Sequence, residues 1–212
     1  MRSSRCRTLA AEGSGNVQRV TSGDDTLADD VVIAATREWL ERAVIGLNLC
    51  PFAKAVHIGN RVRYRVSHAR DADALLADLS EELQALHAAD PATCETTLLV
   101  HPWVLNDFLD YNDFLDVADA AVDALGMTDE LQVASFHPHY QFADTQPEDI
   151  ANYSNRSPYP TLHLLRQASV DAAVAAFPDA AAIYEKNVAM LERLGHDGWQ
   201  RVMAGEAGDE PR

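Results

Sequence analysis

Two histidines one residue apart, an arginine in a loop bracketed by prolines, and a cysteine beside a proline are the groups in this chain best suited to chemistry. His137 and His139 stand in "FHPHYQFAD", directly after the apolar run "LQVASF". In extended backbone, residues two apart share a side, so both imidazoles can face one ligand. Paired neutral imidazoles suit zinc or another divalent first-row metal, with His101 as the third ligand and His163 the next choice. Such a metal could activate water for hydrolysis. Without one, His137, His139 or His163 could serve as general acid or base. The competing reading has one histidine bonded to backbone and the other in solvent.

"NRSPYPTLHLLR", residues 155–166, has the vocabulary of an anion site. Asn155 bonds locally and tolerates a positive φ. Arg156 offers a rigid fork for carboxylate or phosphate, and Ser157 follows it. Pro158 and Pro160 restrict the backbone, with a cis bond open to either. Thr161 reads as the N-cap of a short helix, whose free N–H groups would face the same anion. On that helix His163 and Arg166 share a face. The alternative is that Arg156 pins the loop through Asp144, Glu148 or Asp149.

"NLCPFAK", residues 48–54, is the third cluster. Pro51 fits the first position of a helix, which makes Cys50 its cap. A thiol there would feel the positive helix end and Lys54, and would be activated as a nucleophile. The alternative is that Cys50 is a small buried apolar residue closing the preceding helix, the commoner place for a cysteine.

Together with "HP" at 101–102, these stretches resemble the bacterial domain-of-unknown-function family 1415, over roughly residues 30–205. The resemblance implies no particular activity, substrate or cofactor. It does imply a signature of Asn48, Cys50, Pro51, His101, Pro102, His137, Pro138, Tyr140, Phe142, Asn155, Arg156, Ser157, Pro158, Tyr159, Pro160, His163 and Arg166. Tyr140 joins the substrate-binding candidates on that ground. Asp144 stands where the family pattern has a small residue.

The elements that position these groups follow from periodicity. Helical spacing places Ile33, Thr36, Leu40, Val44 and Leu47 on one face, and Leu75, Leu76, Leu79, Leu83 and Leu86 on another. A third helix runs over 106–125, with aspartates at 107, 110, 113, 116 and 119 on its solvated side. "RVRYRVS" and "TTLLV" read as strands, as does "LQVASF". Short helices are expected near 161–167 and 170–176. A longer one opens at Pro178 and is closed by Gly195. Strands alternating with helices predict an α/β fold: a small, mostly parallel sheet with helices packed around it, in a single domain. A ferredoxin-like α+β arrangement is the alternative. Ligands of such sheets bind beyond the carboxyl ends of the strands, where His68, His101, His137 and His139 all follow. His68 lies in a charged stretch and is read as simply the start of a polar loop.

Composition narrows the class. The domain spans 29–205, between a disordered leader at 1–28, without apolar periodicity, and a tail at 206–212. Thirty-three acidic against 17 basic residues give a net charge of −16, which repels phosphate backbones and anionic lipid, so neither nucleic acid nor membrane is the expected partner. Three scattered cysteines make no disulfide framework and point to a cytoplasmic setting. The expectation is an enzyme acting on a small anionic metabolite through a His/Arg site, with metal-assisted hydrolysis as one form. The alternatives are a non-catalytic small-molecule or metal-binding module and an adaptor whose motifs only lock the long loop.

Overall fold

The computed structural model of the chain describes residues 28–176 and 180–206, with residues 180–182 described by backbone alone. The expected leader up to residue 27, Pro178 and the tail from residue 207 lie outside the described residues.

Helix α1 (Asp29–Trp39) continues into a π-helix over Leu40–Ile45, and α2 (Ala53–Ile58) follows. Then come β1 (Val62–Val66), α3 (Ala72–Ala88), β2 (Thr96–Val100), α4 (Phe108–Ala124) and β3 (Leu131–Phe136). A 3₁₀ turn over Ile150–Asn155 leads to β4 (Thr161–Arg166), α5 (Gln167–Ala176) and α6 (Ala180–Ala204). Local chemistry sets several of these limits. Asp71 caps α3 by accepting the Ala74 N–H, and Asp107 caps α4 by accepting those of Leu109 and Asp110. Gly195 interrupts α6 with φ 64°, a backbone state in which a Cβ is costly. The five aspartates from 107 to 119 are all exposed, as a solvated face requires.

The sheet is mixed, which corrects the expectation of a mostly parallel one. Its order is β1-β2-β4-β3. β1 and β2 are parallel, and β4 runs antiparallel to both β2 and β3. The segment expected as a helix at 161–167 is therefore the strand that fills the gap between β2 and β3. The three strands predicted from sequence do run in one direction, but β3 is not a neighbour of either of the others. The βαβαββ order is not ferredoxin-like.

Each face of the sheet buries its own layer. Leu99, Leu131, Leu162 and Leu164 pack with the α3 stripe of Leu75, Leu79, Leu83 and Leu86, and with Tyr111, Phe114 and Ala118 of α4. On the other face Val66, Leu98 and Val100 meet Val32 of α1. Trp39, Ala43 and Val44 cluster there with Leu191 and Trp199 of α6, against Val62, Tyr64 and Phe136. Trp39 meets the Phe136 ring edge-on at 5.0 Å.

Candidate functional site

Because β1, β2 and β3 point the same way, His101 and His137 emerge at one sheet edge. β4 starts at that edge, with Thr161 in register with both Val100 and Phe136. The loop before β4 is drawn to the same place. His101 N–H donates to the Pro160 carbonyl at 3.0 Å and His137 N–H to that of Asn155 at 3.2 Å. The expected convergence is therefore present in the backbone.

The imidazoles, however, turn inward. His101 and His137 are both completely buried, on either side of the Tyr111 ring at 5.7 and 5.0 Å. His101 Nδ1 donates to the Val104 carbonyl at 3.0 Å. Its Nε2 is buried without a partner among the described residues. His137 Nδ1 accepts the His139 backbone N–H at 3.0 Å, so its proton is on Nε2, which donates to the Leu105 carbonyl at 3.2 Å. Leu105 itself has φ 55°, an uncommon backbone for a branched residue. The His137 ring thus holds a strained turn. Burial lowers both imidazole pKa values to about 4, against the weaker upward pull of their carbonyl bonds. The rings are neutral at pH 7, and both nitrogens of His137 are occupied. His139 is exposed. Among the described residues, no group of three or more His, Cys, Asp or Glu is placed to hold a metal.

Tyr111 completes this edge. Its hydroxyl donates to the Thr161 carbonyl at 2.9 Å and accepts the Phe136 N–H at 3.1 Å. It wedges between the last residue pair of β3 and β4. Burial raises its pKa.

The loop residues are mostly occupied in holding the loop. Asn155 has no positive φ; its Nδ2 donates to the Ser135 carbonyl. Ser157 and Thr161 hydroxyls both donate to the Tyr159 carbonyl. Thr161 opens a strand, so no helix N-terminus faces an anion here. No peptide bond among the described residues is cis. Tyr140 packs between Phe108 and Phe142, at 5.2 and 5.0 Å. Arg156 Nε donates to the Tyr140 carbonyl at 3.2 Å and a terminal nitrogen to that of Pro147 at 2.6 Å, over the Tyr153 ring. It does pin the loop, but through neutral carbonyls and not through Asp144, Glu148 or Asp149. Its charge has no carboxylate partner among the described residues, and it lines an open cleft of about 600 Å³ with His139, Gln141, Glu148 and His196. Asp144 adopts φ 64°, a backbone state that Asp tolerates.

His163 and Arg166 part company, being three apart on a strand. One Arg166 terminal nitrogen donates to the carbonyls of Leu86, Ala89 and Cys94, closing the end of α3. His163 points to the opposite face, into a second space. There a partly open cavity of about 400 Å³ lies between the sheet and α1, α2, α5 and α6. Trp39, Leu98, Ala134, Phe136, Val170 and Ile183 are among its mostly apolar walls. His163 is set mid-sheet between Leu98 and Ala134, and the surface it retains faces this cavity. Its Nε2 lies 2.7 Å from Thr96 Oγ1, and burial lowers its pKa to about 4.

Cys50 also lines this cavity. It is not a helix cap: Phe52 precedes the first residue of α2, and the Cys50 carbonyl accepts the Ala53 N–H. Its motif is a chain reversal. The π-helix ends at Gly46, where a Cβ would collide with the Arg42 carbonyl. Asn48 then takes φ 55°, which Asn tolerates, and Asn187 of α6 donates to the Leu49 carbonyl. The reversal carries Cys50, Phe52, Ala53 and Val56 to the cavity wall.

Sequence reasoning missed Thr96, Tyr111 and Asn152. Asn152 is fully buried; its Oδ1 accepts from Phe142 N–H and the Thr145 hydroxyl, while Nδ2 donates to the Gln146 carbonyl. Position within a long polar loop gave no signal for it. His68 is exposed, paired with Asp29 at 2.8 Å and stacked on Trp103 at 4.8 Å.

No helix among the described residues is long and apolar enough to cross a membrane. Neither curated proteins nor solved structures gave a match in comparison with this chain. A family model described as "Protein of unknown function (DUF1415)" matches residues 31–201, most of the chain and every motif above, so the chain belongs to that family.

Proposed function

We propose that this protein binds a small, largely apolar molecule in the cavity between its sheet and α1, α2, α5 and α6. The observation that carries this is the cavity's composition: about 400 Å³ of space with mostly apolar walls, and one mid-sheet imidazole lining it. Sites for small ligands have this make-up, apolar walls with few placed polar groups, and volumes from roughly 300 Å³ upward. His101 and His137 at the sheet edge do not carry a site of their own, because both rings are fully buried and both nitrogens of His137 are bonded. The test is calorimetric titration with bicyclic aromatic probes, comparing wild type with Ala134→Phe, which fills the cavity from the sheet side. Wild type should bind, and the variant should not, while keeping its unfolding transition. Equal binding by both would sink the reading.

Arg156 favours a second reading, an enzyme or binder for a small anionic metabolite in the edge cleft. It offers an unneutralised guanidinium beside exposed His139. A metal step is not part of it, since His137 has no free nitrogen for a metal. Phosphate titration watched through the His139 ring resonances should give saturable shifts that Arg156→Met removes. Unchanged spectra at millimolar phosphate would dispose of it.

A further inference from the structure

We propose that the cavity selects a neutral, mainly apolar molecule bearing one hydrogen-bond donor, a hydroxyl or an N–H, which His163 Nδ1 accepts. This rests on the cavity reading above and adds the polarity of the group recognised.

A relay of three groups fixes the proton positions. The Leu164 carbonyl can only accept, and the Thr96 hydroxyl donates to it at 2.6 Å. That leaves the hydroxyl only lone pairs to offer His163 Nε2, 2.7 Å away. Nε2 must therefore carry the imidazole proton, and Nδ1 of the neutral ring is a bare lone pair. Burial keeps the ring neutral at pH 7. Nδ1 has no partner among the described residues, and the ring lines the cavity.

Occupants are sorted by what they bring to that lone pair. A hydrocarbon leaves it unpaired in apolar surroundings, which is costly. An ether or carbonyl oxygen faces it lone pair to lone pair. A carboxylate would have to bring a proton with it. A hydroxyl or N–H satisfies it. The other polar groups on the wall do not alter this order. Glu95 is held by Arg61 at 2.7 Å and by the Ser169 hydroxyl. One terminal nitrogen of Arg166 is held by three carbonyls. Its Nε is buried without a partner among the described residues, but on a side chain three residues from His163 along β4, which leaves the sheet on the opposite face. The Gln132 side chain has no hydrogen bond among the described residues, but its amide both donates and accepts and so sets no preference. It stands two residues from Ala134, which pairs with His163.

The experiment titrates the full chain at neutral pH with naphthalene, 2-naphthol, 2-methoxynaphthalene and 2-naphthoate. These share one apolar body and differ in the polar group. 2-Naphthol should bind about tenfold more tightly than naphthalene or the ether, and 2-naphthoate most weakly. In His163→Leu the neutral probes should bind within about twofold of one another. Thr96→Val removes the acceptor that fixes the ring proton, so the proton is free to sit on Nδ1 and meet an ether oxygen, and the ether should gain on 2-naphthol. Neutral probes binding alike in wild type, or a naphthol preference that survives His163→Leu, would overturn the inference while leaving the cavity reading intact. No binding by any probe, or binding unchanged in Ala134→Phe, would overturn both.

Discussion

His137 and His139 are joined through the ring of one and the backbone of the other: His137 Nδ1 accepts the His139 N–H at 3.0 Å. The pair that looks in sequence like two ligands for one metal is instead a turn closed by a histidine side chain. The two positions should therefore respond to mutation very differently. His137→Ala removes a buried ring and leaves the Leu105 carbonyl and His139 N–H unpaired, a loss of about 3 kcal/mol. His139→Ala touches an exposed side chain and should stay within about 0.5 kcal/mol of wild type. Urea denaturation of the two variants checks this.

Tyr111→Phe should cost about 2 kcal/mol, although it changes one atom. The hydroxyl serves the Phe136 N–H and the Thr161 carbonyl at once, and its removal leaves two buried backbone groups unpaired. Amide exchange at Phe136 should quicken more than exchange at the centre of β3. A stability change near zero would mean that the strand ends close the gap themselves.

Arg166→Met should destabilise by about 2–4 kcal/mol, and Arg166→Lys should recover only part of it. One guanidinium nitrogen meets three carbonyls at the end of α3; a lysine ammonium offers three donors to them but sits on a shorter, more flexible stem without the planar fork. Binding of cavity probes by the refolded variant should be little changed, because the Arg166 side chain leaves β4 on the face opposite His163 and binds the end of α3.

Acid should weaken the fold in a defined window. His101, His137 and His163 have folded pKa values near 4, against about 6.5 when unfolded. Above about pH 7.5, a unit over the unfolded value, they are neutral in both states and contribute no pH dependence. As pH falls from there towards 4, the unfolded chain takes up protons that the folded chain refuses. Stability then drops with a slope approaching 1.4 kcal/mol per pH unit for each histidine. Below pH 4 the folded chain protonates as well and the slope flattens. Urea titrations at high salt, which mutes the changing net charge, should show this slope, and His163→Leu should remove about a third of it. A flat profile between about pH 6.5 and 5 would contradict the burial of these rings.

How far the sequence could be read depended on whether one or both faces of an element are buried. The α3 stripe and the alternating β1 each have a solvent side, so their periods are plain. The limits of β2 and β3 also match those read from sequence. "TLHLLR" is a central strand with packed surface on both sides. Such a run reads as continuously apolar and cannot be told from a short helix by period alone. Misreading it moved Thr161, His163 and Arg166 to the wrong neighbours. The gathering of His101 and His137 at one edge was legible, because strand direction alone decides it. The direction of their rings was not. That is set by the Val104 and Leu105 carbonyls and by a tyrosine from α4, contacts that no local pattern announces.

The strand inserted at the middle of the sheet also orders the protein's assembly in time. During synthesis β2 and β3 are both complete before residue 161 exists, yet they cannot pair with each other in the native arrangement. Each must wait with an open edge until the later segment arrives and bridges them. Such edges invite pairing with other chains. A ribosome stalled before β4 would thus release a fragment with two halves of a sheet and nothing to join them, a natural target for chaperones and proteases.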